Sequence, residues 1–125
     1  MKKRILLVDD EAPITRMMRR NLESTGRFEV LDVNDPTQAL QLARQFRPDL
    51  ALLDVMMPGK DGGELAADFK EDPELSRMPV VFLTAIVSRN EVNPTGSVIG
   101  EHTFLAKPVK LEELLACIDA QLAAH

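Results

Sequence analysis

Strand and helix patterns alternate along this chain. Ile5-Leu6-Leu7-Val8, Leu50-Ala51-Leu52-Leu53 and Val80-Val81-Phe82-Leu83 are short, continuous apolar runs ended by polar or turn residues. Such runs read as strands buried on both faces, the mark of a parallel sheet covered by helices. Glu29 and Asp32 interrupt the stretch from Phe28 to Val33, so this second strand is expected at an edge. Thr103 to Ala106 reads as a weaker fifth strand. Between the strands lie helical patterns. Pro13 suits a first turn, with Met17, Met18 and Leu22 at helical spacing and Gly26 as the stop. Asp35-Pro36 reads as an N-cap and helix-starting proline, followed by a stripe of Leu40, Ala43 and Phe46. Asp61 can cap a helix carrying Leu65, Ala66 and Phe69 that ends before Pro73. Leu111, Leu114, Leu115, Ile118 and Leu122 form one apolar face of a last helix, with Cys117 beside it as a small core residue. The pattern predicts a doubly wound α/β fold with helices on both faces.

One crossover departs from the pattern. Ser88 and Glu91 fit a capping box, but Pro94 and Gly96 forbid a long continuation. A helix of one or two turns followed by an irregular segment is expected there.

Composition narrows the class. The chain has 125 residues, 45% hydrophobic and 28% charged, with a net charge of -5. That suits one domain, residues 1–125, with a core that needs no disulfide. The single cysteine excludes a disulfide framework and a Cys-based zinc site. No apolar run approaches the ~20 residues of a membrane span. The apolar stretch after Lys2-Lys3-Arg4 is too short for a signal peptide, so a cytoplasmic protein is expected. The negative charge, with no Trp or Tyr, disfavours nucleic-acid binding.

In open parallel sheets, ligands bind at the carboxyl ends of the strands. Here the first strand ends in Asp9-Asp10-Glu11, the third in Asp54, the fourth in Thr84 and the fifth in Lys107. With the second strand at the edge, these ends cluster three carboxylates, a hydroxyl and an ammonium. Crowded carboxylates raise one another's pKa and stay ionised together only around a cation. Oxygen ligands with room for water suit Mg²⁺. A metal so held can orient a phosphoryl group, a carboxylate can attack it, and Lys107 and Thr84 can bind its remaining oxygens. Each residue taken singly is more simply a helix cap or a solvated side chain; their joint occurrence at four of five strand ends carries the reading.

At these residues the chain resembles the receiver domain of bacterial two-component response regulators. The matching motifs are Ile5 to Glu11, Asp49 to Gly62 (DLALLDVMMPGKDG), Val80 to Ala85 (VVFLTA) and Phe104 to Pro108 (FLAKP). The resemblance covers essentially the whole length. It implies a flavodoxin-like, five-stranded parallel sheet of order 2-1-3-4-5. It makes Asp54 the phospho-acceptor, charged from the phosphohistidine of a sensor histidine kinase or histidine phosphotransferase. Asp10 would be the direct metal-binding acid, Asp9 the acid acting through a metal-bound water, and the Met56 carbonyl a further ligand, for Mg²⁺ or Mn²⁺. Lys107 would pair with the phosphoryl oxygens, Thr84 would be the switch hydroxyl and Phe104 the switch aromatic. A cis Lys107-Pro108 bond is also implied. Docking would use the start of the first helix, at Ile14 and Met17 beside Arg16 and Arg20, although both apolar residues suit the core equally. The protein would catalyse only its own phosphorylation and dephosphorylation, and would act on a downstream protein or by phosphorylation-dependent dimerisation.

Departures from the family pattern add expectations. Met56 and Ile86 flank the acceptor and are apolar, so neither can orient an attacking water; slow self-dephosphorylation is expected. Gly100-Glu101-His102-Thr103 replaces the usual residues before the switch aromatic, and His102 reads as a solvated loop residue. His125 receives no role. No effector domain follows the last helix, so the chain is expected to be either a stand-alone regulator or a piece of a larger one. Three rivals remain. An aspartyl-phosphate hydrolase would need a second acid where Val55-Met56 stands. A flavin- or nucleotide-binding domain would need a phosphate-cradling loop where Asp9-Asp10-Glu11 stands. An unphosphorylated pseudo-receiver would not need the complete acidic set.

Overall fold

The computed structural model describes residues 2–84, 97–99, 102–107 and 109–124. In chain order the elements are β1 (Lys3–Val8), α1 (Ala12–Glu23), β2 (Phe28–Val33), a 3-10 turn (Pro36–Gln38) leading into α2 (Ala39–Phe46), β3 (Leu50–Asp54), α3 (Gly62–Glu71), β4 (Val80–Thr84), β5 (Ser97–Ile99), β6 (His102–Ala106) and α4 (Leu111–Ala124). The sheet runs β2-β1-β3-β4-β6-β5. Its first five members are parallel, and they are the five strands expected from sequence, in the expected order. Beyond them β5 pairs antiparallel with β6. The pattern predicts an irregular segment here, because three residues are too few to display a period-two alternation.

Strand periodicity divides the core. Ile5, Leu7, Leu50, Leu52, Val81, Leu83 and Leu105 pack on one face with Met18, Leu22, Leu114, Cys117 and Ile118 of α1 and α4. Leu6, Val8, Ala51, Leu53 and Phe82 pack on the other with Ala39, Ala43, Leu65, Ala66 and Phe69 of α2 and α3. Each fully buried leucine or isoleucine contributes about 1.5–3 kcal/mol, so this two-sided core can offset polar groups buried at its rim. The chemistry of the strand ends depends on that surplus.

Local caps agree with the sequence. Asp35 accepts from the Thr37 N–H at 3.0 Å, and Pro36 opens the 3-10 turn. Gly26 takes a φ of 76°, three residues past the end of α1. Two details differ. The buried stripe of α2 is Ala39 and Ala43, while Leu40 and Phe46 are only partly covered and Phe46 lies under the Arg4 guanidinium at 5.4 Å. Cys117 sits inside the apolar face of α4, fully buried, rather than beside it. The capping box at Ser88 and Glu91, the short helix expected in the fourth crossover, Ile86, the Pro108 peptide bond and His125 lie outside the described residues, as does the His102 side chain.

Burial pushes the Cys117 thiol up to about 11. A rise of that size from the ordinary value of 9.0 leaves roughly a hundredfold less thiolate at mildly alkaline pH. Native protein should therefore alkylate with iodoacetamide about two orders of magnitude more slowly than protein in denaturant, followed by intact mass. Equal rates in the two conditions would contradict the buried placement.

Candidate functional site

The site is built where β1, β3, β4 and β6 end. Asp54 is the last residue of β3, paired with Leu83 of β4, and the Val55 N–H continues the ladder to the Leu83 carbonyl at 3.1 Å. Asp9 follows β1, and its N–H donates to the Val33 carbonyl of β2 at 3.1 Å. Lys107 follows β6, and its N–H donates to the Thr84 carbonyl at 2.9 Å. Backbone pairing thus fixes the origin of each side chain before any of them meet.

Asp9 and Asp54 are buried, at 0% and 6% exposure, and Asp10 is exposed. One oxygen of each carboxylate lies within 4.8 Å of the others. The Lys107 ammonium bridges the two buried acids, donating to Asp9 Oδ2 at 2.6 Å and lying 3.2 Å from Asp54 Oδ1. The other Asp9 oxygen accepts from the Glu11 N–H at 3.0 Å. Burial raises the Asp54 pKa above its ordinary value, and the nearby Asp9 charge raises it further; Lys107 only partly offsets them. For Lys107, burial lowers the pKa, but Asp9 and Asp54 outweigh it and the net shift is upward. The ammonium therefore stays charged, and it leaves three carboxylates with one cation among them. The set fits a hard divalent ion: clustered carboxylate oxygens, an electrostatic deficit of positive charge, and an open side at Asp10.

Thr84 is buried at the end of β4. Strand alternation puts it on the side of Phe82 and Phe104, whose rings stack with centroids 5.3 Å apart. Phe104 is half-buried on the α3 face. Met56 is 67% exposed beside Asp54. The two docking candidates separate: Ile14 packs on the core, whereas Met17 is 55% exposed between exposed Arg16 and Arg20.

The loop from Val55 to Asp61 is anchored at its far end. Asp61 and Glu64 form a reciprocal capping box, with the Glu64 N–H donating to Asp61 Oδ1 at 2.8 Å and the Asp61 N–H to Glu64 Oε1 at 3.3 Å. Lys60 pairs with Asp68 on α3. The Gly62 N–H donates to the Val55 carbonyl at 3.0 Å. Sequence reading missed two contributors. Gly62 brings the start of α3 so close to β3 that a Cβ there would lie 2.4 Å from the Asp54 carbonyl oxygen. Asn34, at the end of β2, reaches the Asp9 carbonyl at 2.8 Å. The Asp-Gly pair at 61–62 hinted at the first; nothing in the sequence pattern marked the second.

The family model of the response regulator receiver domain matches residues 5–119. This chain belongs to the response regulator receiver family. Among its curated relatives is the DNA-binding response regulator MtrA of Mycolicibacterium paratuberculosis, 38% identical over 122 residues, which cover 98% of this chain and 52% of that protein. The MtrA of Mycobacterium leprae matches equally, so the chain spans about half the length of these relatives. Solved receivers agree with the fold. Chemotaxis protein CheY4 of Vibrio cholerae superposes with a TM-score of 0.82 at 28% identity, covering 97% of this chain and 99% of its own. The receiver domain of a Pseudomonas aeruginosa sensor histidine kinase, solved with a magnesium ion coordinated in its active site cleft, gives 0.81 at 27% identity over 98% of this receiver and 99% of that chain. Among the described residues of the receiver, no helix is long and apolar enough to cross a membrane.

Gly62→Ala should force α3 away from the Asp54 carbonyl and cost about 1–3 kcal/mol, as overpacking a tight contact does. Urea denaturation measures it. An unchanged midpoint would show that the close approach is not needed.

Proposed function

We propose that this receiver is a phospho-acceptor switch in which Asp54 takes a phosphoryl group from the phosphohistidine of a sensor kinase or histidine phosphotransferase. The observation that carries this reading is the Lys107 ammonium held against both Asp9 and Asp54, with the Asp10 carboxylate within reach of both. A carboxylate oxygen of Asp54 attacks phosphorus, the P–N bond to the donor imidazole breaks, and the bonding pair leaves with the imidazole. Asp9, Asp10, Asp54 and the Met56 carbonyl would hold Mg²⁺ or Mn²⁺, which when bound neutralises phosphoryl oxygens and aligns the group for in-line attack. Lys107 neutralises a second oxygen, and its place beside Asp54 already supplies that charge. The Thr84 hydroxyl donates to a third.

The acyl phosphate carries about 1.5 to 2 negative charges in place of the single charge of the Asp54 carboxylate, beside the acids Asp9 and Asp10. Thr84 moving toward the new oxygens frees space next to the Phe82–Phe104 stack, so Phe104 can turn inward without losing a hydrogen bond. That biases a surface around β6 and α4 toward a downstream protein or a second copy of the chain. Exposed Met17, with Arg16 and Arg20, forms the docking face for the donor, and Ile14 supports it from the core. The receiver thus acts only on itself. Its net charge of -5 disfavours nucleic-acid binding by counterion release, and we place it in the cytoplasm. Val55 and Met56 offer no second acid to a leaving group, which disfavours a hydrolase of external substrates.

Incubation with Mg²⁺ and acetyl phosphate should add one phosphoryl group by intact mass, and Asp54→Asn should add none. No gain in the unaltered protein, or an equal gain in the variant, would refute the assignment. The same mass series, followed after removal of donor, should show a phospho-form that persists well beyond seconds, because Met56 and Ile86 cannot orient water; loss within seconds would refute that part.

A further inference from the structure

We infer that Asn34 and Thr15 are positioning residues that aim the acidic turn of residues 9–11 at its cation; this rests on the proposed reading that Asp9, Asp10 and Asp54 hold a divalent ion. The Asn34 Nδ2 atom donates to the Asp9 carbonyl at 2.8 Å and to Thr15 Oγ1 at 2.9 Å. Thr15 Oγ1 in turn donates to the Ala12 carbonyl at 3.0 Å. The three bonds form a relay across the mouth of the turn, from the residue before Asp10 to the first residue of α1.

The relay acts on one peptide plane. The Asp9 carbonyl and the Asp10 N–H belong to the same rigid unit, so fixing one fixes the other. Asp9 is held on its other side by its N–H on the Val33 carbonyl. What remains free at Asp10 is only its own pair of backbone dihedrals, and the Glu11 carbonyl restrains those from beyond by accepting from the Ile14 and Thr15 N–H groups at 3.0 and 3.2 Å. Among the described residues no hydrogen bond or ion pair holds the Asp10 carboxylate itself. Its aim therefore depends on the backbone that carries it, and Asn34 sets that backbone from the neighbouring strand.

A simpler account covers Thr15 alone. A threonine inside a helix commonly bonds a carbonyl of the preceding turn, and Thr15 does so. It does not account for Asn34. That side chain is on an exposed residue and could give both amide hydrogens to water at little cost. Instead it gives one to the carbonyl before the exposed metal-site acid and one to a hydroxyl that is fully buried. Outer partners that orient metal ligands commonly matter about 10- to 100-fold to affinity even when they never touch the ion.

The test is Mg²⁺ titration of the full chain by calorimetry, with metal-free melting recorded in parallel. Asn34→Ala should raise the Mg²⁺ Kd roughly tenfold, the lower end of the range for such partners, because one bond to a backbone carbonyl is lost. Thr15→Ser, which keeps the hydroxyl, should bind as the unaltered chain does, and Thr15→Val should bind as Asn34→Ala does. The double variant Asn34→Ala/Thr15→Val should be no weaker than the worse single one, since both break the same relay. A purely structural role would lower the melting temperature and leave Kd unmoved. A Kd within twofold of the unaltered chain in Asn34→Ala, an exposed position at which the fold is retained, overturns the inference while leaving the function proposed above intact. Failure of the unaltered chain to bind Mg²⁺ overturns both.

Discussion

Asp9 and Asp54 are buried side by side, and the ammonium of Lys107 is what lets them be. Removing a carboxylate from water costs several kcal/mol even after relaxation, and two of them in contact add their mutual repulsion. Lys107 meets both, at 2.6 and 3.2 Å, yet the Asp54 pKa still lies above its ordinary value. One ammonium is not enough for three acids. The remaining imbalance favours a cation at this rim. In the function proposed above, metal binding and phosphoryl acceptance would then be parts of one requirement for charge balance.

The rest of the fold keeps that imbalance from relaxing. The two-sided core, with Leu52 and Leu83 on one face and Leu53 and Phe82 on the other, fixes the strands whose ends carry the charges. Gly62 and the Asp61–Glu64 capping box lock the start of α3 onto the end of β3, so Asp54 cannot swing outward by shifting its backbone. Asn34 and Thr15 do the same for the acidic turn after β1. Without these restraints the acids would separate into solvent, and the site would lose the repulsion that makes it receptive.

Much of this is legible in the chain. Continuous apolar runs fixed the three central strands, because burial on both faces demands apolar residues at every position. Glu29 and Asp32 marked β2 as the edge, and Asp61 marked the cap of α3. The acids, Thr84 and Lys107 stand where strands end, the ligand-binding rim of an open parallel sheet, and the fold brings Asp9, Asp10, Asp54 and Lys107 together. What pattern could not show was contact between elements distant in sequence. Nothing in the pattern marks Asn34, because its partners, Asp9 and Thr15, lie 25 and 19 residues away. Ile14 and Met17 looked equivalent on a helical wheel, and only the angle at which α1 lies on the sheet separates a core residue from an exposed one. The short β5 escaped because its pairing, not its composition, makes it a strand.

The charge on the buried Asp54 side chain is held at a cost, which a divalent ion at the proposed site would relieve. The raised Asp54 pKa carries the sign: the protonated form is favoured in the fold, so the stability this group contributes is lost as pH rises through that raised value. Thermal melting at neutral pH with divalent metal removed, comparing the unaltered chain with Asp54→Asn, measures this directly. Asparagine keeps an oxygen for Lys107 and removes the charge, so the variant should melt higher by roughly a few degrees, and added Mg²⁺ should stabilise the unaltered chain more than the variant. A metal-free variant that melts at or below the unaltered protein would contradict the account.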